Sequence, residues 1–113
     1  MSEASFNEPV RDIKHAIIDK AGSGNNTILA AVANKRILVV SLVLVSSGTV
    51  NVRFESDANG TALTGQMNLI ANTGFSLNYN PYGWFKTVVG ELLNLELSGA
   101  VSVDGCFSYK EIE

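Results

Sequence analysis

The chain has 113 residues, of which 46% are hydrophobic and only 17% are charged, and its net charge at pH 7 is −3. Average soluble domains carry about 25% charged residues. A single domain of this composition is expected to bury an unusual share of its surface, or to bury part of it against another chain. The Lys and Arg residues are scattered, with only Lys35 and Arg36 adjacent. This distribution argues against the clustered basic face that binds nucleic acid.

Targeting and redox signals are sparse. Cys106 is the single cysteine, so an internal disulfide is excluded, and we expect it to be a small buried hydrophobe. The first 12 residues are polar and acidic, unlike a signal peptide. The longest apolar run, 37–45, is much shorter than the roughly 20 residues that a membrane span needs. We therefore expect a soluble protein made in a cytoplasm, with no membrane partner.

The N-terminal ten residues, "MSEASFNEPV", show no periodicity. We interpret residues 1–10 as an extended arm, with a disordered tail as the alternative, and residues 11–113 as one β-sandwich domain. The pattern becomes β-like in "RDIKHAIID", where Ile13, His15 and Ile17 alternate with residues of the opposite face.

Short β-patterns separated by Gly, Asn, Asp and Ser fill the rest of the chain. The predicted strands are 27–33, 36–45, 49–56, 61–70, 74–79, 88–97, 100–103 and 106–112. No stretch longer than a turn or two is typical of a helix. Eight or nine short strands indicate an all-β antiparallel sandwich or barrel. A count of about eight favours a jelly-roll-like sandwich over an immunoglobulin-like one.

The segment "RILVVSLVLV", residues 36–45, is apolar on both faces of a regular strand. Such a strand is expected to be covered on both faces. Strict alternation places four β-branched residues together on one of them, namely Ile37, Val39, Val43 and Val45. We predict that this set forms a subunit seam, with the other face in the sandwich core. Either face could be the inner one in a jelly roll.

Nothing in the sequence points strongly to catalysis, and no cofactor or metal is expected. His15, the single histidine, is interpreted as structural, because one His and one Cys do not make a zinc site. Glu91 and Glu96 differ by an odd number of positions and would face opposite sides of one strand. Asp57 and Asp104 stand in turn-like contexts beside Asn or Gly. We expect a protein that is not an enzyme.

The stretch "NYNPYGWFKT", residues 78–87, holds four of the chain's nine aromatic residues. We call it the aromatic loop. One interpretation is a plug for the end of the sandwich or for the centre of a trimer. The alternative is an exposed ligand platform for a sugar, formed by Asn80, Tyr82 and Trp84. The decisive question is whether Tyr82 and Trp84 both stand exposed.

Several segments together resemble small virion structural proteins encoded by tailed bacteriophages. They are "NKRI", "SGTVNVRFES", "GTALTG", "GWF", "LNLELSG" and "GCFSY", in this order within residues 13–112. The resemblance implies a β-sandwich virion component and brings no catalytic residues with it. It does not choose between a capsid decoration protein, a head fibre and a tail-fibre tip.

Three features favour a capsid decoration protein among these alternatives. They are the short chain, the strand that is apolar on both faces, and the N-terminal arm. The expected function is that of a capsid decoration, or cement, protein. It would be made in the host bacterial cytoplasm and bind the outer capsid surface as a homotrimer. Its expected partners are further copies of itself and the major capsid protein. Phe6, Pro9 and Val10 are the candidate capsid-binding residues of the arm. The alternative is an adhesion module that recognises a host surface glycan through the aromatic loop.

Overall fold

A computed structural model describes residues 13–113, which contain ten β-strands and no helix. The strands are β1 (Lys14–Lys20), β2 (Gly24–Leu29), β3 (Arg36–Ser46), β4 (Val50–Ser56), β5 (Thr61–Ala62), β6 (Met67–Leu69), β7 (Thr73–Leu77), β8 (Phe85–Lys86), β9 (Leu93–Leu97) and β10 (Val103–Ile112). The predicted arm, with Phe6, Pro9 and Val10, lies outside the described residues and stays a prediction.

The strands form two antiparallel sheets that pack face to face. In sheet I the order is β1-β10-β3-β7, with β8 also paired to β3. In sheet II the order is β2-β9-β4-β5, with β6 also paired to β4. The first strand pairs with the last and the second with the last but one, and the nesting continues inward. This nested pairing is that of a jelly roll, so the predicted fold class is confirmed.

The number of strands also agrees with the prediction once the short ones are considered. β5 and β6 both pair with β4, and β7 and β8 both pair with β3. Each of these short pairs occupies one strand position in its sheet. Ten strands therefore fill the positions of about eight, as in other jelly rolls.

The hydrophobic core lies between the sheets and receives equal contributions from both. Sheet I supplies Ile18, Ile37, Val39, Leu42, Leu44, Val103, Phe107 and Tyr109, and sheet II supplies Ile28, Val50, Val52, Phe54, Leu69, Leu93, Leu95 and Leu97. Period-2 alternation explains the sheet II set, in which Leu93, Leu95 and Leu97 all point inward. A side chain of Leu or Val contributes about 1.5–3 kcal/mol when fully buried.

A β-bulge in β3 corrects the predicted subunit seam. Ser108 of β10 pairs with Ser41, but Tyr109 pairs with Val39, so β3 carries one extra residue at this point. The extra residue reverses the alternation along β3. Ile37 and Val39 therefore lie in the core, with 0% and 1% exposure, whereas Val43 and Val45 face outward. The prediction that these four residues share one face is wrong.

Candidate functional site

The outer face of sheet I carries a row of apolar side chains that cross three neighbouring strands. Ile17 of β1 lies opposite Cys106 of β10, which lies opposite Val43 of β3. Val45 follows two residues along β3, on the same side. Ile17 is 76% exposed, and Val43 and Val45 are each 46% exposed. We call these four residues the outer apolar face.

Sequence reasoning missed half of this face. Cys106 was expected to be buried, but it is exposed, because β10 places it on the outward side between Ile17 and Val43. The sequence places Ile17 on one face of its strand, although nothing local shows whether that face or the opposite one enters the core. The pairing of the first strand with the last brings these residues together, and strand pairing between distant segments leaves no local signal.

Beyond Val43 and Val45, β7 adds little bulk to the same surface. Val43 pairs with Ser76, and Val45 pairs with Gly74. A side chain at Gly74 would overlap the backbone of β3 at Leu44, so glycine is required by this close approach. The surface next to Val43 and Val45 is therefore flat, and β7 places no large polar side chain beside them.

Polar pairs border the outer apolar face on both sides. On one side, Ser108 Oγ lies 3.0 Å from His15 Nδ1. On the other side, Asp19 and Asp104 are directly opposite each other on β1 and β10. A hydrogen bond with Asp19 raises the pKa of the Asp104 carboxyl, and charge repulsion acts in the same direction. An apolar centre with a polar rim is the usual composition of a protein-binding surface.

The aromatic loop is held in one conformation by hydrogen bonds to its own backbone and to β3. Asn80 N donates to Val40 O at 2.9 Å, and Trp84 N donates to Val39 O at 2.8 Å. Between them, Gly83 N donates to Asn80 O at 2.8 Å and closes a turn around Pro81. The Asn80 side chain accepts from Tyr82 N at 3.0 Å. The tip of the loop is therefore a fixed turn.

Three of the four rings in this loop face solvent. Tyr82 is 89% exposed, Tyr79 is 49% exposed and Trp84 is 47% exposed. Phe85 alone turns inward, where its ring centroid lies 5.0 Å from that of Phe54. Trp84 Nε1 donates to Asn78 O at 2.9 Å, which fixes the indole orientation. Because Tyr82 and Trp84 are both exposed, the loop has the arrangement that the ligand-platform interpretation requires.

The same loop explains part of the doubly apolar character of β3. Leu38 points away from the core residue Val39 and is nevertheless only 8% exposed. A Cβ at Gly83 would collide with the Leu38 side chain, which shows that the loop backbone lies directly against it. Gly83 also has a positive φ of 83°. One end of the outer surface of β3 is thus covered by the chain itself, and the other end is left open.

The outer face of sheet II is polar and forms its own hydrogen-bond network. Arg53 donates to Glu55 at 2.5 Å and to Glu96 at 2.9 Å. Asn94 Nδ2 donates to Glu55 Oε1 and to Asn25 Oδ1, both at 2.9 Å. Hydrogen bonding to Glu55 raises the pKa of Arg53. Because Arg53 pairs with both carboxylates, this cluster has the character of a structural network rather than of an acid–base pair.

Two of the carboxylates considered in the sequence, Glu91 and Glu96, bind different partners in the described part of the chain. Glu91 binds Ser56 Oγ at 2.6 Å, away from the Glu96–Arg53 pair on the sheet surface. Within residues 13–113 no three His, Cys, Asp or Glu side chains are placed to hold a metal ion. Between the same limits, no helix could cross a membrane.

Comparison with known proteins gives no relative to set beside this geometry. No family model matches the chain, and neither a curated protein nor a solved structure is matched by it.

Proposed function

We propose that this protein is a structural component of a bacteriophage virion. In this proposal it is a capsid decoration protein that binds the outer capsid surface as a homotrimer. The resemblance of the sequence to phage virion proteins supports the proposal, and so does the jelly-roll fold, which occurs widely in viral capsid domains. Its role would be mechanical, because added buried area across the seams between capsid subunits resists internal pressure without any chemistry.

The observation that carries the proposal is the outer apolar face. Ile17, Val43 and Val45 expose apolar surface on the outer side of sheet I. Burial of such surface against another chain is favourable by about 25 cal/mol for each Å² removed from water. A closed trimer uses a heterologous contact, so this face of one subunit would meet a different surface of the next.

Localisation in virions tests the virion role directly. Gold-labelled antibodies against the protein should decorate the head of the phage that encodes it. The purified protein should also bind capsids that lack it. Labelling only at the tail tip would contradict the decoration role, as would failure to bind such capsids.

Sedimentation of the purified protein tests the oligomer. The wild-type protein should sediment as a trimer, and Val43→Asp should sediment as a monomer, because an unpaired charge in a packed interface is costly. Asn51→Asp is the matched control, since Asn51 is exposed on the outer face of sheet II. A monomeric wild-type protein would contradict the proposal that the outer apolar face is a subunit contact. A dimeric wild-type protein would contradict the proposed trimeric state.

The aromatic loop favours a second candidate function, an adhesion module on a head or tail fibre that binds a host surface glycan. Exposed aromatic rings stack on the CH faces of sugars, and Tyr82 and Trp84 present such rings on a fixed turn. The side-chain oxygen of Asn80, Oδ1, already accepts a hydrogen bond from Tyr82 N. Its amide group is the part of that side chain that could donate to a sugar hydroxyl.

A glycan array tests this second candidate. Binding of a defined glycan that is abolished in the double variant Tyr82→Ala and Trp84→Ala would favour adhesion. Ile70→Ala serves as the control, because Ile70 is 63% exposed and lies outside the loop. Absence of any bound glycan would remove this candidate and leave the decoration role.

A further inference from the structure

The two sheets do not close against each other at the edge where β6, β7 and β8 lie. A half-open cavity of about 200 Å³ remains there between the sheets. Its floor is formed by the core residues Leu42 and Phe54. Its walls are formed by the half-buried side chains of Met67, Phe75, Leu77 and Phe85. Protein interiors rarely contain voids larger than a water molecule, so a space of this size is a distinct feature of the fold.

The cavity offers a ligand no free hydrogen-bond donor. Thr64 is the single polar residue in its lining. The Thr64 hydroxyl already accepts from Phe54 N at 3.1 Å and donates to Gly65 O at 3.0 Å. A polar or charged group that entered would lose its hydration without compensation. The lining therefore selects for an uncharged, apolar occupant.

The size and the composition of the walls favour an aromatic ring. Apolar cavities of about 150 Å³ stay dry and bind benzene in other proteins. Phe54 and Phe85 already form a tilted pair with 5.0 Å between their centroids. A third ring could add to this pair with edge or offset contacts. The Met67 thioether at the wall is the kind of group that makes favourable contacts with ring edges.

We propose that this cavity is a binding site for one uncharged aromatic ring of a small molecule. The site is separate from the outer apolar face, because Phe75 and Leu77 line the cavity whereas Ser76 between them lies in the row with Val43 on the outside. It is also independent of the proposed virion role. A polar substituent on the ring would have to remain at the mouth, in solvent.

Titration with toluene, followed by amide chemical shifts of the full-length protein, tests the site. Saturable shifts should centre on the cavity residues, and toluene should raise the midpoint of thermal unfolding, because it binds only the folded state. Benzoate has the same ring with a charge, and it should bind at least about tenfold more weakly. The absence of saturable shifts with toluene, or equal binding of benzoate, would overturn the proposal.

Variants that fill the cavity locate the binding. Leu77→Phe should abolish the toluene-induced shifts and the rise in unfolding temperature. Met67→Phe provides a second filling variant at the wall, should Leu77→Phe not fold. Ile70→Phe adds the same ring at an exposed position and should bind toluene like the wild type. Unchanged toluene binding in a folded filling variant would overturn the assignment. So would concentration-dependent broadening of the cavity amides without toluene, since a side chain of a second copy would then be the occupant.

Discussion

The two outer faces of the sandwich have opposite chemistry. On sheet II the outward residues Glu55 and Asn94 bind each other and are only 1% and 0% exposed. On sheet I the outward residues Ile17 and Val43 are 76% and 46% exposed. The polar side chains of one face bind one another within the chain, whereas the other face leaves apolar surface in water.

This difference separates the parts of the molecule that stabilise the subunit from those available for a partner. The network on sheet II links β2, β9 and β4 through side chains as well as through backbone. The outer apolar face of sheet I contributes less to its own subunit, because Ile17 is 76% exposed and Val43 and Val45 are each 46% exposed. Changes on sheet II should therefore alter folding, and changes on sheet I should alter association.

The largest effect on folding is expected from Glu55→Ala. The variant loses hydrogen bonds to Arg53 and Asn94 at a site that is 1% exposed. The free energy of unfolding should fall by about 2–3 kcal/mol. Urea denaturation followed by Trp84 fluorescence measures the change.

Glu96→Ala is the matched control for that variant, because the Glu96 side chain is 27% exposed and binds Arg53 as well. It should cost about 1 kcal/mol or less. Equal losses in the two variants would mean that burial of Glu55 adds nothing, and the contrast between the faces would weaken.

The covered end of sheet I is tested by a pair of glycine variants. Gly83 and Gly90 have similar positive φ angles, 83° and 79°, but only Gly83 lies against a neighbouring side chain, that of Leu38. Gly90→Ala should cost about 1 kcal/mol for the backbone conformation. Gly83→Ala should cost about 1 kcal/mol more, because the added methyl displaces Leu38. Thermal unfolding of both variants measures this difference, and equal costs would contradict the close packing of the loop on Leu38.

A smaller effect on folding is expected from Ile17→Ser on the open part of sheet I. Ile17 is 76% exposed, so the free energy of unfolding of the dilute, dissociated chain should change by less than about 0.5 kcal/mol. The dissociation constant of the proposed oligomer should rise by about tenfold or more, since a buried Ile contributes about 1.5–3 kcal/mol. Denaturation and sedimentation of the same sample separate the two quantities. A large loss of subunit stability would show that this face serves folding after all.

The smallest effect is expected from Asp104→Asn, at the border of the outer apolar face. Because the pKa of Asp104 is raised in the folded state, its bond with Asp19 stabilises the fold at low pH, and this contribution is lost as the pH rises through the folded pKa. An Asn amide donates to Asp19 at every pH. The variant should therefore match the wild type in acid and unfold at a higher temperature at neutral pH.

Thermal unfolding midpoints of Asp104→Asn and the wild type, measured from acidic to neutral pH, test this prediction. Asp57→Asn is the control, since Asp57 occupies a turn with a φ of 70° that Asn also tolerates. A parallel shift in both variants would reflect net charge alone and would contradict the specific pairing of Asp19 with Asp104.

Local patterns predicted much of the secondary structure and failed where long-range pairing matters. The strand predicted over 49–56 is β4 with one residue fewer, and the turn at 57–60 is present. The predicted break at Asp104 and Gly105 is absent, because both lie within β10. A side chain at Gly105 would overlap the backbone of β3, so this glycine permits close approach of two strands rather than a turn.

The strand predicted over 27–33 begins and ends earlier in the structure, for a related reason. β2 begins earlier, at Gly24, and ends at Leu29, where its pairing with β9 ends. The apolar residues 30–33 fit a strand by composition but lack a partner strand. The candidate sites also differ in how far the sequence predicts them. The aromatic loop was found from composition alone, whereas Ile17 and Cys106 joined the outer apolar face only through the pairing of β1 with β10.

The sequence by itself determined that this protein is an antiparallel sandwich with an aromatic-rich turn, because period-2 alternation and turn residues act over a few neighbouring positions. Only the tertiary structure decided which residues of β3 face water. One extra residue in β3, opposite the step from Ser108 to Tyr109, moves Ile37 and Val39 into the core and leaves Val43 and Val45 outside. That shift depends on how β3 fits against β10, and a strand that is apolar on both faces carries no local mark of it.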